Sequence, residues 1–183
     1  MNRPAAAYAN RISAVGADDL EPIARLAREI WYRHYPGIIT VAQIEYMLER
    51  RYSAQVMRRQ LASRYTWWDK LETGGRLAGF ASYETGEGNG DMKLDKLYVD
   101  QRFQGQGLGS TLLRHVESEA VRHGRHRLYL QVNKHNKRAI VAYLRNGYAI
   151  AEPVESDIGN GFVMDDYVMA KEIGPGIRGP KSG

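Results

Sequence analysis

Leu97-Tyr98-Val99-Asp100-Gln101-Arg102-Phe103-Gln104-Gly105-Gln106-Gly107-Leu108-Gly109-Ser110 decides the reading of this chain, because an apolar strand end runs into a glycine-rich turn that opens an amphipathic helix. A helix N-terminus carries unpaired N–H groups and partial positive charge, and glycine removes the Cβ atoms that would hold an anion away from them. Three alternating glycines are costly for an ordinary turn. Gly105, Gly107 and Gly109 are therefore read as the cradle of a pyrophosphate.

Spacing separates the motifs that compete for this turn. A Walker A loop needs Lys-Ser/Thr directly after its last glycine, whereas Gly109 is followed by Ser110 and Thr111. A dinucleotide fingerprint needs G-x-G-x-x-G and an acidic residue about 20 positions on; here the glycines run G-x-G-x-G, and the later strand, 128–132, ends without a carboxylate. What remains, Gln104-x-x-Gly107-x-Gly109, resembles the acyl-CoA signature of the GNAT superfamily of N-acetyltransferases. Downstream, Asn136-x-x-Ala139-x-x-x-Tyr143-x-x-x-Gly147-Tyr148 is similar to the superfamily's N-x-x-A-x-x-x-Y-x-x-x-G-F pattern, with Tyr148 in place of Phe. The two motifs cover the second half of the chain; the first half matches only in layout.

The resemblance implies an α/β fold, a GNAT-type mixed, splayed β-sheet of about six to seven strands flanked by helices. The splayed pair is 92–99 and 128–132, with pantetheine entering the gap between them. Acetyl-CoA is then the co-substrate, met by the backbones of Leu97, Tyr98 and Val99, by Gln104, Gly105, Gln106, Gly107, Leu108, Gly109 and Ser110, and by Asn136 and Tyr143; Arg102 is added as a phosphate partner. Asn136 is also fully explained as a helix N-cap. Tyr143 is assigned as the general acid, since a phenol of pKa about 10 stays protonated at neutral pH. Asp95 is assigned to the acceptor side, although strand alternation only groups it with Leu97 and Val99 and leaves open whether it meets the acceptor or the protein interior. Trp31 and Tyr35, from an aromatic cluster with Tyr32 and His34, and Glu84 complete the expected acceptor site, with Asp165 and Asp166 as further acidic candidates.

Length and composition bound these readings. At 183 residues, 43% hydrophobic and 26% charged, the chain suits one globular domain, taken as 11–173 between a frayed tail at 1–10 and a Gly/Pro tail at 174–183. No apolar run approaches the roughly 18 residues of a membrane span and the N-terminus lacks a signal-peptide pattern, so a cytoplasmic location is expected. The absence of cysteine excludes disulfides, thiolate metal sites and an acyl-cysteine intermediate. The net charge of +5 suits an anionic partner such as CoA. The basic run Arg122-His-Gly-Arg-His-Arg127 has no interleaved aromatics, and a solvated turn explains it better than nucleic acid.

Local signals fill in the rest. A first strand is expected over 11–15. A helix follows with a capping box at Asp18-x-x-Glu21 and an apolar face of Leu20, Ile23, Ala24, Ala27, Ile30 and Trp31. Thr40-x-x-Gln43 caps a second helix from Val41, and Ser53 a third toward Gln60. Strands are expected over 65–71 and 76–83, joined by a Gly74-Gly75 hairpin, with a glycine-rich connection at 86–90. A helix over 137–146 and a hairpin of 149–154 with 162–171 close the fold. The function expected is direct transfer from acetyl-CoA to a primary amine, a small polyamine-like or other amine metabolite, with no metal. The alternatives are a protein N-terminal or lysine acetyltransferase and, from another class, a non-catalytic acyl-CoA-binding sensor. A homodimer is left open.

Overall fold

The computed structural model describes residues 9–86 and 90–174; the expected tails and the middle of the glycine-rich connection fall largely outside these residues. The sheet is mixed and has the order β1-β2-β3-β4-β5-β7-β6. Its strands are β1 Asn10–Ala14, β2 Thr66–Thr73, β3 Arg76–Glu84, β4 Asp91–Val99, β5 Arg127–Asn133, β6 Ala149–Gly159 and β7 Phe162–Glu172. Helices α1 Leu20–His34, α2 Val41–Tyr52 and α3 Ala54–Leu61 precede β2, α4 Leu108–Arg122 crosses from β4 to β5, and α5 Lys137–Arg145 follows β5. The crossover makes β4 and β5 the parallel pair. Among the described residues no helix is long and apolar enough to cross a membrane.

Most boundaries follow from local chemistry. Gly74 and Gly75 both take positive φ, 56° and 72°, as a two-residue hairpin turn requires. The Thr40 hydroxyl accepts the Gln43 N–H at 3.2 Å and starts α2. The capping box expected at Asp18 does not form. A 3₁₀ turn, Ala17–Asp19, enters α1 instead, and Asp19 accepts the Gly16 N–H at 2.9 Å while pairing with Lys70 at 2.6 Å. Ser53 stands at the N-cap of α3 without a capping side-chain bond. The final hairpin runs longer than expected because its turn is delayed to Gly159, Asn160 and Gly161, all at positive φ.

Each face of the sheet has its own core. On one, Leu108, Leu112, Leu113, Val116 and Ala120 of α4 pack against Leu71, Tyr83, Met92, Leu94, Leu128 and Leu130. On the other, Ile23, Ala27, Ile30 and Trp31 of α1 join Ile44, Met47 and Met57 against Trp68 and Phe80, with Leu26 buried beside them and Ala24 only partly so.

Strand β4 departs from regularity in two ways that position the site. It pairs with β5 only from Asp91↔Arg127 to Leu94↔Leu130, after which the two strands part. Against β3, Leu94 faces Tyr83 and Lys96 faces Ser82, so Asp95 is an extra, bulged residue. The bulge resets the alternation. Met92, Leu94, Leu97 and Val99 meet the α4 core, whereas Tyr98 joins the opposite core and Lys96 lies over the Tyr52 and Trp68 rings there. Asp95 bonds Arg51 of α2 on that same side, not the face of Leu97 and Val99 to which unbroken alternation assigns it.

A buried tie fixes α4 to β2. His115 donates Nε2–H to Asp69 at 2.8 Å, and Tyr83 donates its hydroxyl to the same oxygen at 2.7 Å. The bond to Asp69 raises the His115 pKa above its ordinary 6.5; burial works to raise the Asp69 pKa, but the bonds from His115 and Tyr83 outweigh it and leave the carboxyl below its ordinary 3.8. The raised histidine stabilises fully below the unfolded histidine value of about 6.5 and loses this contribution as pH rises through its folded value; the lowered carboxyl stabilises above about 3.9 and loses it in acid. His115→Gln should therefore destabilise by on the order of 1 kcal/mol near pH 5.5, after discounting for partial exposure, and by less near pH 8.5. Urea unfolding of both proteins at the two pH values checks this; an equal loss at both excludes a charged tie.

Candidate active site

The parting of β4 from β5 opens a cleft of about 480 Å³ through the middle of the molecule. Its floor is the turn between β4 and α4. Gly107 is the N-cap of α4 with φ 75°, in the left-handed region, and Gly105 has φ 79°. The first intrahelical bond runs from Thr111 N–H to Gly107 C=O at 3.0 Å, which leaves the amides of Leu108, Gly109 and Ser110 facing out of the helix end. A Cβ at Gly105 or Gly107 would meet nothing within 4 Å, so the space above the amides is open to an anionic group. Gln104, Gly105, Gly107, Leu108, Gly109 and Ser110 line the cleft, and Gln106 does not.

Arg102 is a correction. Its guanidinium is held by Asp100 at 2.8 Å, its side chain is 67% exposed, and it is not part of the cleft wall. Arg138 of α5 does line the cleft, and it donates to Gln104 Oε1 at 2.6 Å.

The walls come from the freed strand edge and from α5. Leu97, Tyr98 and Val99 line the cleft beyond the last β4–β5 pair, where the backbone on the β5 side lacks a strand partner. Asn136 caps α5 by accepting the Ala139 N–H at 3.3 Å, and the same oxygen accepts Nε2–H of His34 at 3.1 Å, tying α1 to α5 across the opening. Tyr143 lines the cleft seven residues on. Burial first, then Tyr35 nearby, raises its pKa above the ordinary phenol value of 10.

At the other end Trp31 and Tyr35 line the cleft with ring centroids 4.5 Å apart, and the Tyr35 and Tyr98 hydroxyls lie 3.3 Å apart. Glu84 is a second correction: it lies outside the cleft wall, 3.6 Å from Lys93. Asp95 is a third. It does line the cleft, but Arg51 holds it at 2.8 Å and Lys96 pairs with it on the buried side. The two cations outweigh its burial and push its pKa well below the usual carboxylate range, which favours the ionised form. Lys96, its side chain 1% exposed, has its own pKa pushed down by burial to about 8.

Arg51, Lys96 and Arg138 escaped the sequence reading. Lys93-Leu-Asp-Lys96 held a signal, since charges inside a central strand need partners, but nothing in the sequence marked Arg51 as the partner. Of the two late aspartates considered, Asp166 lines the cleft and Asp165 pairs with Lys134 outside it.

The acetyltransferase (GNAT) family model matches residues 24–148. The spermidine N(1)-acetyltransferase of Thermoplasma acidophilum is 25% identical over 158 residues, covering 84% of this chain and 94% of that protein. The spermine/spermidine N(1)-acetyltransferase of Bacillus subtilis is 35% identical over 106 residues, covering 54% of this chain and 65% of that protein. The crystal structure of the PaiA N-acetyltransferase of T. acidophilum in complex with coenzyme A superposes with a TM-score of 0.77 at 23% identity, covering 90% of this chain and 99% of that one.

Two outcomes follow from the site. Gly107→Val places a β-branched residue in the left-handed region, at a cost of about 1–2 kcal/mol or more; calorimetry should show acetyl-CoA binding weakened by about tenfold or more in a folded protein. Asp95→Asn leaves Arg51 and Lys96 without their counter-charge and should destabilise by about 3 kcal/mol or more in urea unfolding. An Asn variant of native stability excludes a structural carboxylate.

Proposed function

The chain belongs to the acetyltransferase (GNAT) family and is an acetyl-CoA-dependent N-acetyltransferase, and from that premise we propose that it acetylates a primary amine of the polyamine type in a ternary complex. The observation that carries the reading is the meeting, in one cleft, of a glycine-capped helix end, a strand edge freed of its neighbour and Tyr143. The helix end supplies N–H donors and partial positive charge for the pyrophosphate, and Arg138 adds a fixed charge beside it. The freed edge of β4 offers backbone groups to the pantetheine amides, as an added strand would. The names of the relatives support the polyamine as acceptor.

Transfer then needs proton movements at two atoms: the acceptor nitrogen loses two protons on the way from ammonium to amide, and the leaving sulfur gains one. The acceptor arrives as an ammonium and must be deprotonated before its nitrogen can attack the thioester carbonyl. As the carbon–sulfur bond breaks, the thiolate needs a proton or a strong hydrogen bond. Tyr143 supplies it: burial keeps the phenol protonated at neutral pH, so it can donate to the sulfur as the bond breaks, and the proton shed by the attacking nitrogen restores it. With no cysteine in the chain, direct transfer needs no acyl-enzyme.

Tyr143→Phe keeps the ring and removes only the donor. It should lower single-turnover acetyl transfer to spermidine by roughly 10²–10⁴-fold with little change in acetyl-CoA affinity. A Phe variant at the wild-type rate makes Tyr143 a packing residue. Thiol release from acetyl-CoA across a panel of spermidine, spermine, L-lysine, tyramine and an alanyl peptide tests the acceptor class, and a protein N-terminal or lysine acetyltransferase would prefer the peptide or lysine. No thiol release with any amine favours an acyl-CoA sensor.

A further inference from the structure

Among the described residues every cation at the acceptor end of the cleft is already matched to a carboxylate, and one carboxylate is not matched to a cation. Arg51 of α2 is bound to Asp95 at 2.8 Å, Lys93 of β4 lies 3.6 Å from Glu84 and 3.8 Å from Asp95, and Lys134, after β5, pairs with Asp165. Asp166 of β7 is left over. It is 7% exposed and lines the cleft, and its Oδ1 is buried with no hydrogen-bond partner among the described residues. A buried carboxylate oxygen without a partner is costly, and a protein retains one where something else supplies the partner.

We propose that Asp166 is the further catalytic residue of this site, receiving the acceptor's ammonium as its missing counter-ion and taking a proton from it. The proposal rests on the reading of the cleft as the site of acetyl transfer. The ammonium loses one proton to Asp166, which frees the lone pair. The nitrogen bonds to the thioester carbon, the carbon–sulfur bond breaks, and the sulfur takes the Tyr143 proton. The nitrogen sheds a second proton as the amide forms, which restores Tyr143, and Asp166 returns its proton to water. One proton is released per turnover.

Its surroundings suit the role. Burial raises the Asp166 pKa to about 6, with Asp165 on the same strand adding to the rise and Arg51, Lys134 and Lys93 opposing it. Tyr35, at the end of α1, faces it as a neutral phenol. Such a carboxyl is ionised at neutral pH yet far more basic than Asp95, equally at hand in the cleft but held ionised by two cations.

Carboxyl ¹³C NMR and single-turnover kinetics together test this. The wild-type spectrum should contain one resonance, absent from Asp166→Asn, that titrates near pH 6. With the best acceptor of the amine panel, wild-type kcat/KM should fall below about pH 6 as Asp166 protonates. Asp166→Asn should bind acetyl-CoA normally, lose that acid limb and slow transfer by roughly 10²–10⁴-fold, whereas Asp166→Glu, which keeps the carboxyl, should retain the limb. Wild-type rate and limb in Asp166→Asn overturn the proposal; so does titration of Asp166 in the ordinary range near 4, or loss of acetyl-CoA binding in both variants, which marks a structural role. A wild-type protein that transfers to no amine while the resonance titrates near 6 instead overturns the acetyl-transfer reading.

Discussion

The structure depends on one strand being paired on one side and abandoned on the other. β4 keeps its ladder to β3 as far as Val99 but gives up β5 after Leu94. Backbone groups lost from a ladder in a protein interior must be satisfied elsewhere. A sheet parted at its centre is thus a poor fold for its own sake and a good one for a ligand that carries amides. The cost is contained because α4 packs under the intact part of both strands, through Leu112, Leu113 and Val116 on Leu94, Leu128 and Leu130. The opening then lies at the N-terminal end of that helix, where its unpaired amides are.

The bulge at Asp95 is the second half of the same constraint. Without it, Leu97 and Val99 would exchange faces with Tyr98, and the apolar residues that hold the strand to α4 would point into α1 and α2. With it, two consecutive charged residues, Asp95 and Lys96, lie on one side beneath α2. Their burial is tolerable only as a group: Arg51 and Lys96 flank one carboxylate, and Trp68 and Tyr52 present ring faces to the Lys96 ammonium at 4.7 and 5.7 Å. This cluster anchors the C-terminal end of α2 to the bulge and so fixes one wall of the cleft.

What was legible in the sequence was whatever depended on local chemistry. The cradle glycines, the Asn136 cap, the Gly74-Gly75 turn and the apolar stripe of α4 each follow from neighbours within a few residues, and they locate the cleft. The acceptor end was much less legible because its logic is long-range. Arg51 and Asp95 are 44 residues apart, and His34 and Asn136 are 102 apart. The face taken by Asp95 turned on a bulge that strand periodicity does not reveal, and Arg102 was misjudged because a nearer anion, Asp100, claims it.

Three buried side chains of the cleft also show that burial alone assigns no role. Tyr143, Asp95 and Asp166 are all removed from water, and burial by itself raises the pKa of each. For a phenol that rise secures the protonated, hydrogen-bond-donating form. For an unmatched carboxyl it raises the pKa to about 6, and for a carboxyl matched by two cations it is overwhelmed and the pKa falls. The sorting is done by which cations the fold brings to which carboxylate. The Arg51 guanidinium bonds Asp95 and lies near enough to Asp166 to lower its pKa, so one side chain acts on both carboxyls. The helix that carries Arg51 therefore has as much to do with the chemistry of this cleft as the strands that carry the acids.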